Sequence, residues 1–301
     1  MNENRRFKIL RGVACVAAIF VITFVFMPVR YAVAKRLIPD DNLAYPVLIT
    51  LKIGGEALGS GSGIYLNTGD GIYLVTAKHV IEPGLPDPKT GKVKFPDLDL
   101  ELLSYSKDLP IPQKNVFSLS LAAFRSSGAV KTHETRDVAV IKIGTTVKQD
   151  DGSLKVAYSA GLVALKTSQT GILAVSMDKV LMFDQVLVGN EAMLYGYPKS
   201  LGIPDNPQFD PLRPLLRKGL IAGADLKEHS LVIDGAVYRG NSGGPVFEID
   251  QDYPQTHYYL VGITTEFVPL IEATTDFSVT FNSGYSVAVP MDFVIELIRS
   301  K

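Results

Sequence analysis

Three residues of the 301 stand out by type and setting: His79, Asp137 and Ser242. His79 closes the apolar stretch Leu74-Val75-Thr76-Ala77-Lys78-His79-Val80, at the end of a predicted strand. Asp137 opens the apolar run Asp137-Val138-Ala139-Val140-Ile141-Lys142-Ile143. Ser242 lies inside the glycine-rich turn Gly240-Asn241-Ser242-Gly243-Gly244. Amide hydrolysis by a serine needs a base for the hydroxyl proton, and neutral imidazole suits that role near pH 7. It needs a carboxylate to hold the imidazole in the right tautomer and to stabilise the imidazolium. It also needs backbone N–H donors aimed at the developing oxyanion. Glycines around Ser242 free the backbone for the dihedrals that turn two N–H groups toward one point. Each motif alone has a structural reading: a strand-end histidine, a turn cap, a flexible loop. Their order, with gaps of 58 and 105 residues, makes the set more than its parts.

The elements that must position these groups read as β structure. Short apolar or alternating runs recur at 46–53, 63–66, 71–75, 138–143, 180–188, 231–234, 258–264 and 285–289. Many are rich in Val, Ile, Tyr and Thr, which fit a pleated surface. One helix is expected at the end, where Phe293, Val294, Leu297 and Ile298 recur at helical spacing. The proline-, lysine- and aspartate-rich residues 83–112 read as a long surface excursion. Residues 148–158, with Asp150-Asp151-Gly152, read as a linker between two halves of similar size.

Composition excludes several classes. With 47% apolar and 20% charged residues, the chain can build a substantial core and is no disordered segment. Seven basic groups and one acid fall in residues 1–36, leaving 23 basic against 30 acidic groups on residues 37–301. That acidic body lacks the footprint of a nucleic-acid binder. A single cysteine, Cys15, rules out an internal disulfide framework and a multi-cysteine zinc site. Four histidines, without a paired-histidine motif, leave little for a metal centre, so no metal and no cofactor is expected.

Residues 12–29 form an 18-residue run whose only polar side chain is Thr23. As a helix it spans roughly 27 Å, close to the thickness of a bilayer core. Arg5, Arg6, Lys8 and Arg11 precede it and would stay cytoplasmic, placing the body outside. The alternative is a signal peptide cut near Ala34, after Ala32-Val33-Ala34. Either way the body is expected to be extracytoplasmic, periplasmic or extracellular, tethered in one case and secreted in the other.

The chain resembles the trypsin/chymotrypsin-like serine proteases, and within them the bacterial Deg/HtrA-type branch. The order His, Asp, Ser is the one used by chymotrypsin-type barrels. Gly61-Ser62-Gly63-Ile64-Tyr65-Leu66 resembles that branch's entry into the strand before the histidine. Ala192-Met193-Leu194-Tyr195-Gly196-Tyr197-Pro198 and Lys218-Gly219-Leu220-Ile221-Ala222-Gly223 are similar to its mid-chain strands. Ile233-Asp234-Gly235-Ala236 leads into the serine turn. Leu260-Val261-Gly262-Ile263-Thr264-Thr265 and Gly284-Tyr285-Ser286-Val287-Ala288-Val289-Pro290 resemble the strands that line a specificity pocket.

The resemblance implies an all-β fold of two six-stranded barrels with a C-terminal helix, behind the N-terminal transmembrane segment. The first barrel would occupy 37–150 and carry His79 and Asp137; the second, 151–301, would carry Ser242. It implies a serine endopeptidase acting on protein or peptide, with the N–H groups of Gly240 and Ser242 as oxyanion hole. Ala236 and Val237 would form the pocket floor, Gly284 its open wall, and Thr265 would support Asp137 or the substrate backbone. With no carboxylate at Ala236, apolar side chains should be preferred before the cut. Glu266 would admit a basic residue if it turned inward, and Phe267 would narrow the entrance. No PDZ-like domain is expected after the terminal helix. Asn241 stands where trypsin-like zymogens keep an aspartate, so no propeptide removal is expected. The rival from another class is a catalytically silent barrel used for binding.

Overall fold

The computed structural model describes residues 42–86, 93–94, 98–106, 112–150, 154–199, 207–208, 210–251, 255–273 and 277–300. The apolar run 12–29, Cys15 and the cleavage motif at 32–34 lie outside them. Among the described residues no helix is long and apolar enough to cross a membrane.

The N-terminal half holds β1 (Pro46–Ile53), β2 (Glu56–Asn67), β3 (Gly71–Thr76) and the one-turn helix α1 (Lys78–Ile81). The short pair β4 (Leu85–Pro86) and β5 (Val93–Lys94) follows, then β6 (Asp99–Tyr105), β7 (Lys114–Ser120) and α2 (Leu121–Ser126). Next come β8 (Val130–Thr132), β9 (Ala139–Lys148), β10 (Leu154–Tyr158), β11 (Val163–Lys166) and β12 (Val175–Ser176). These build one sheet in the order β10-β9-β3-β2-β1-β6-β7-β11, with β8 on β9 and β12 parallel to β2. The C-terminal half contains β13 (Glu191–Gly196), β14 (Leu215–Asp225), β15 (Ser230–Asp234), β16 (Pro245–Asp250), β17 (His257–Ala273) and β18 (Ser278–Pro290). They close into a six-stranded barrel. Helix α3 (Met291–Arg299) ends the described chain and buries Met291, Val294, Ile295 and Leu297; of the four residues whose spacing announces it, Val294 and Leu297 are buried and Phe293 and Ile298 half-buried.

The expectation of two six-stranded barrels holds for the second half and needs correction for the first. Ten strands form the first sheet, and its hydrogen-bonded path is not closed. Closure would join β7 to β9, but both edges are taken. β7 pairs with β11, while β9 pairs with β8 over Ala139–Ile141 and with β10 over 144–148. The curved sheet still encloses a single core, in which Val47, Ile49, Tyr65, Leu74, Phe117 and Ile141 meet. A separate core with Leu194, Ile221, Ile233 and Val261 fills the closed barrel.

Three further expectations are corrected. Residues 83–112 are not all surface: β6 lies between β1 and β7, with Leu100 and Leu102 wholly buried. Residues 148–158 are no linker, since β9 and β10 form a hairpin of the first sheet. Strands β10, β11 and β12, all after residue 150, pair within the first sheet. Residues 180–188 form no strand. Val180, Phe183 and Val186 are buried at intervals of three, the period of the single 3-10 turns at Met177–Lys179 and Phe183–Gln185.

The core role of β6 has a measurable consequence. Leu100 packs between Leu51 of β1 and Leu119 of β7 in register. Leu100→Ala should lower the unfolding free energy by about 2–5 kcal/mol. Urea denaturation checks this, and a loss below about 0.5 kcal/mol would return residues 98–105 to the surface.

Candidate active site

β3 stops at Thr76, and Ala77 is extended before the single turn of α1. Within that turn Val80 and Ile81 are buried, so His79 faces outward, with its side chain 50% exposed. The histidine is thus on a helical turn after the strand, not on the strand itself. Asp137 lies in the loop between β8 and β9. Its Oδ1 accepts the backbone N–H of His79 at 2.9 Å, and its Oδ2 meets the ring Nδ1 at 2.6 Å. An ionised carboxylate only accepts, so Nδ1 carries the proton, and in the neutral imidazole the lone pair is on Nε2. Burial pushes the Asp137 carboxyl up, but hydrogen bonds from the His79 ring and from the backbone outweigh it and hold the group below its usual range.

Ser242 is held by the backbone on both sides. The N–H of Asn241 donates to Tyr238 O, that of Gly244 to Asn241 O, and that of Gly243 to Thr264 O at 2.7 Å. The N–H groups of Gly240 and Ser242 have no acceptor among the described residues. Gly240 has φ +93°, and a Cβ there would lie 2.3 Å from Tyr197 O. Gly243 has φ +86°, and a Cβ would lie 2.1 Å from Ser62 O. Only glycine fits both places. Asn241 is buried, and its Oδ1 finds no partner among the described residues. A neutral amide tolerates that far better than a carboxylate would. The Ser242 hydroxyl donates to Thr265 O at 3.3 Å, a long bond that leaves it free to turn.

The profile of the trypsin-like peptidase domain matches residues 61–253. The chain belongs to that family. Three solved structures are similar at low identity. A serine endoprotease from Yersinia pestis shares 14% identity over 85% of this chain and 62% of its own, with TM-score 0.44. An HtrA-type protease, AlgW, solved with a tripeptide, shares 14% over 88% of this chain and 63% of its own, with TM-score 0.45. The protease Anisep from Arthrobacter nicotinovorans shares 15% over 82% of this chain and 90% of its own, with TM-score 0.42. The chain thus spans less than two thirds of the length of the first two. No curated protein sequence matches it significantly.

Within this trypsin-like domain the expected pocket residues fall into different settings. Val237 is 3% exposed and its side chain belongs to the barrel core, so it cannot form a pocket floor. Ala236 beside it is half-buried. The Thr265 hydroxyl donates to Val287 O at 3.4 Å, which ties it to β18 and not to Asp137. Glu266 and Phe267 are exposed where β17 leaves the barrel. Gly284 has φ +90°, faces open space, and accepts the N–H of Gly235 at 2.9 Å.

Two residues carry this geometry that the sequence reading gave no role. Asn282 donates from Nδ2 to Val237 O at 2.7 Å and accepts the N–H of Gly284 at 2.9 Å, tying the segment before Ser242 to β18. Ser62 donates to Gly240 O at 2.7 Å and accepts the N–H of Tyr197 at 3.0 Å. The motif Gly61-Ser62-Gly63 was a signal for Ser62; nothing in the sequence marks Asn282.

The lowered carboxyl of Asp137 sets a sign. Its pairing stabilises the fold above the ordinary carboxylate range, and that contribution is lost as pH falls through its own lower value. Asp137→Asn should therefore lower Tm near pH 7, with the difference shrinking below about pH 4. Thermal melts across pH test it; a difference that grows in acid would contradict the pairing.

Proposed function

We propose that the chain is a serine endopeptidase in which Ser242, His79 and Asp137 act as nucleophile, base and orienting carboxylate. The observation that carries this reading is the pair of contacts from Asp137 to His79, which puts the lone pair of the neutral imidazole on Nε2. The Ser242 hydroxyl turns from Thr265 O toward His79, gives its proton to Nε2, and Oγ bonds to the scissile carbonyl carbon. The carbonyl oxygen becomes an oxyanion that accepts hydrogen bonds from the N–H groups of Gly240 and Ser242. As the intermediate collapses, the C–N bond breaks and Nε2 returns its proton to the departing amine. Water then attacks the acyl-enzyme by the same exchange, releasing acid and free serine. One oxyanion donor is worth about 3–4 kcal/mol in such sites. No step calls for a metal or an organic cofactor.

The substrate is a protein or peptide of the cell envelope or exterior. The tether and the extracytoplasmic placing rest on the sequence: the apolar run 12–29 with basic residues before it. Ala236, the expected floor of the primary pocket, carries no carboxylate, which supports apolar side chains before the cut at about 25 cal/mol per Å² buried. The bond from Ser242 to Thr265 O favours the second reading, a silent binding protein, if the hydroxyl never turns.

A fluorophosphonate probe on the full chain separates the two. Labelling should occur and vanish in Ser242→Ala; Ser242→Ala or His79→Ala should cut turnover by roughly 10⁶, and Asp137→Asn by about 10⁴. Absence of labelling in the wild type supports the silent protein. For specificity, a peptide library read by mass spectrometry should show cuts mainly after Val, Leu, Ile or Ala. Cuts mainly after Arg or Lys would mean that Glu266 reaches the pocket.

A further inference from the structure

The loop that presents Asp137 is built around a second histidine. His133 follows β8, and its Nδ1 accepts the backbone N–H of Thr135 at 3.2 Å and of Arg136 at 3.0 Å. This is the turn that an Asp or Asn side chain usually closes by accepting N–H groups two and three residues on. The main chain of His133 completes the loop. Its N–H donates to Val138 O at 3.0 Å, and its carbonyl accepts Lys78 Nζ at 2.8 Å. Lys78 directly precedes His79, so the same residue fastens the loop of Asp137 to the turn of His79. The ring is largely enclosed, at 13% exposure, and meets Phe293 edge-on at 5.0 Å.

Two N–H groups can point at Nδ1 only while that nitrogen holds a lone pair. A proton on Nδ1 sets an N–H against two N–H donors, and both bonds are lost. A carboxylate or amide in this role would not titrate near neutrality, whereas an imidazole does.

We infer that His133 is a protonation-sensitive positioning residue: its neutral imidazole shapes the turn that presents Asp137 to His79, and its protonation releases that turn. The inference rests on the peptidase reading and adds a second acid-side titration to it. The groups around His133 act in both directions. Glu296 of α3, 3.7 Å from Nε2, favours the cation, and Glu134 and Asp137 flank the loop with the same sign. Lys78 on the carbonyl and Arg136, 5.2 Å over the Phe293 ring, oppose it. Glu228 lies 3.7 Å from Arg136 and offsets that guanidinium. His229 shares the Phe293 ring at 5.2 Å and has Asp292 at 3.9 Å, so it is the neighbouring group whose titration must be told apart.

The test compares pH profiles of kcat/KM on a peptide for the full wild-type chain, His133→Asn, His133→Ala and His229→Asn. His133→Asn keeps an acceptor that does not titrate and should retain neutral activity within about threefold. On the acid side, the logarithm of kcat/KM should fall by about one further log unit, with a slope above one over that interval, in wild type and His229→Asn, and with a slope near one throughout in His133→Asn. His133→Ala has no acceptor and should lose about tenfold at neutral pH. A slope of one in wild type, or an unchanged profile in His133→Asn, overturns the inference. A readout without catalysis runs in parallel in the wild type and in Ser242→Ala. The backbone amide resonances of Thr135 and Arg136 should shift together with the His133 ring as pH falls, and amides that stay still overturn the inference even if His133→Asn fails to fold. If the wild type neither cleaves nor labels, the peptidase reading fails, and the amide titration still decides the role of His133.

Discussion

The site depends on one buried hydroxyl. Ser62 of β2 is wholly buried where the first sheet meets the serine turn, and every polar atom it has is engaged. Its N–H donates to Ser242 O at 2.7 Å, and its hydroxyl bridges Gly240 O and the N–H of Tyr197. Its own carbonyl accepts the Thr76 hydroxyl at 2.7 Å, one residue before the turn of His79. A buried carbonyl or N–H without a partner costs about 1–3 kcal/mol, so each of these bonds fixes a distance and not merely a contact. The carbonyls of Gly240 and Ser242 are drawn toward Ser62, while the N–H groups of those same peptide units, on Asn241 and Gly243, bond to Tyr238 O and Thr264 O. The end of β3 is tied to the same point. The turn of Ser242 and the turn of His79 are therefore set relative to one another by hydrogen bonds within the protein.

The electrostatic half of the site follows the same logic. Asp137 contacts His79 through both backbone and ring, which fixes rotamer and tautomer together. The loop carrying Asp137 is fastened in turn by His133 and Lys78. On the far side, Asn282 joins the Val237 carbonyl to the Gly284 N–H through one amide, tying the segment before Ser242 to β18. Beyond that clamp, β17 and β18 continue as a two-stranded ribbon. Leu270 and Phe281 pair across it at 49% and 48% exposure, on a surface no other described strand covers.

Much of the fold was legible because its signals are local. β1 spans the apolar run 46–53, and α3 falls where the terminal helical spacing lies. The alternation Leu98-Asp99-Leu100-Glu101-Leu102 also announces β6, yet the prolines and charges on either side led it to be read as surface. Val180 to Val188 misled in the opposite direction. Its apolar content suggests a strand, while the burial of every third residue belongs to tight turns. Whether the first sheet closes depends on which edges β8, β10 and β11 occupy, and no property of those segments taken singly records that choice.

The sequence by itself supplied the candidates for the chemistry: a histidine, an aspartate and a glycine-bound serine, in the order that chymotrypsin-type barrels use. Residue type carries that much, because a hydroxyl, an imidazole and a carboxylate are groups able to act as nucleophile, base and charge, and only glycine accepts the backbone at 240 and 243. The tertiary structure decided the rest. It made Val237 a core residue, turned Thr265 toward β18, and gave Ser62, Asn282 and His133 their roles. Ser62 and Asn282 act through partners more than 40 residues away in the chain. The turn of His133 is local, but a histidine has no strong preference for capping a turn, so its role shows only once the ring is placed. A hydrogen bond of this kind is a property of two distant backbones brought together by their cores, and it leaves no trace in either segment read alone.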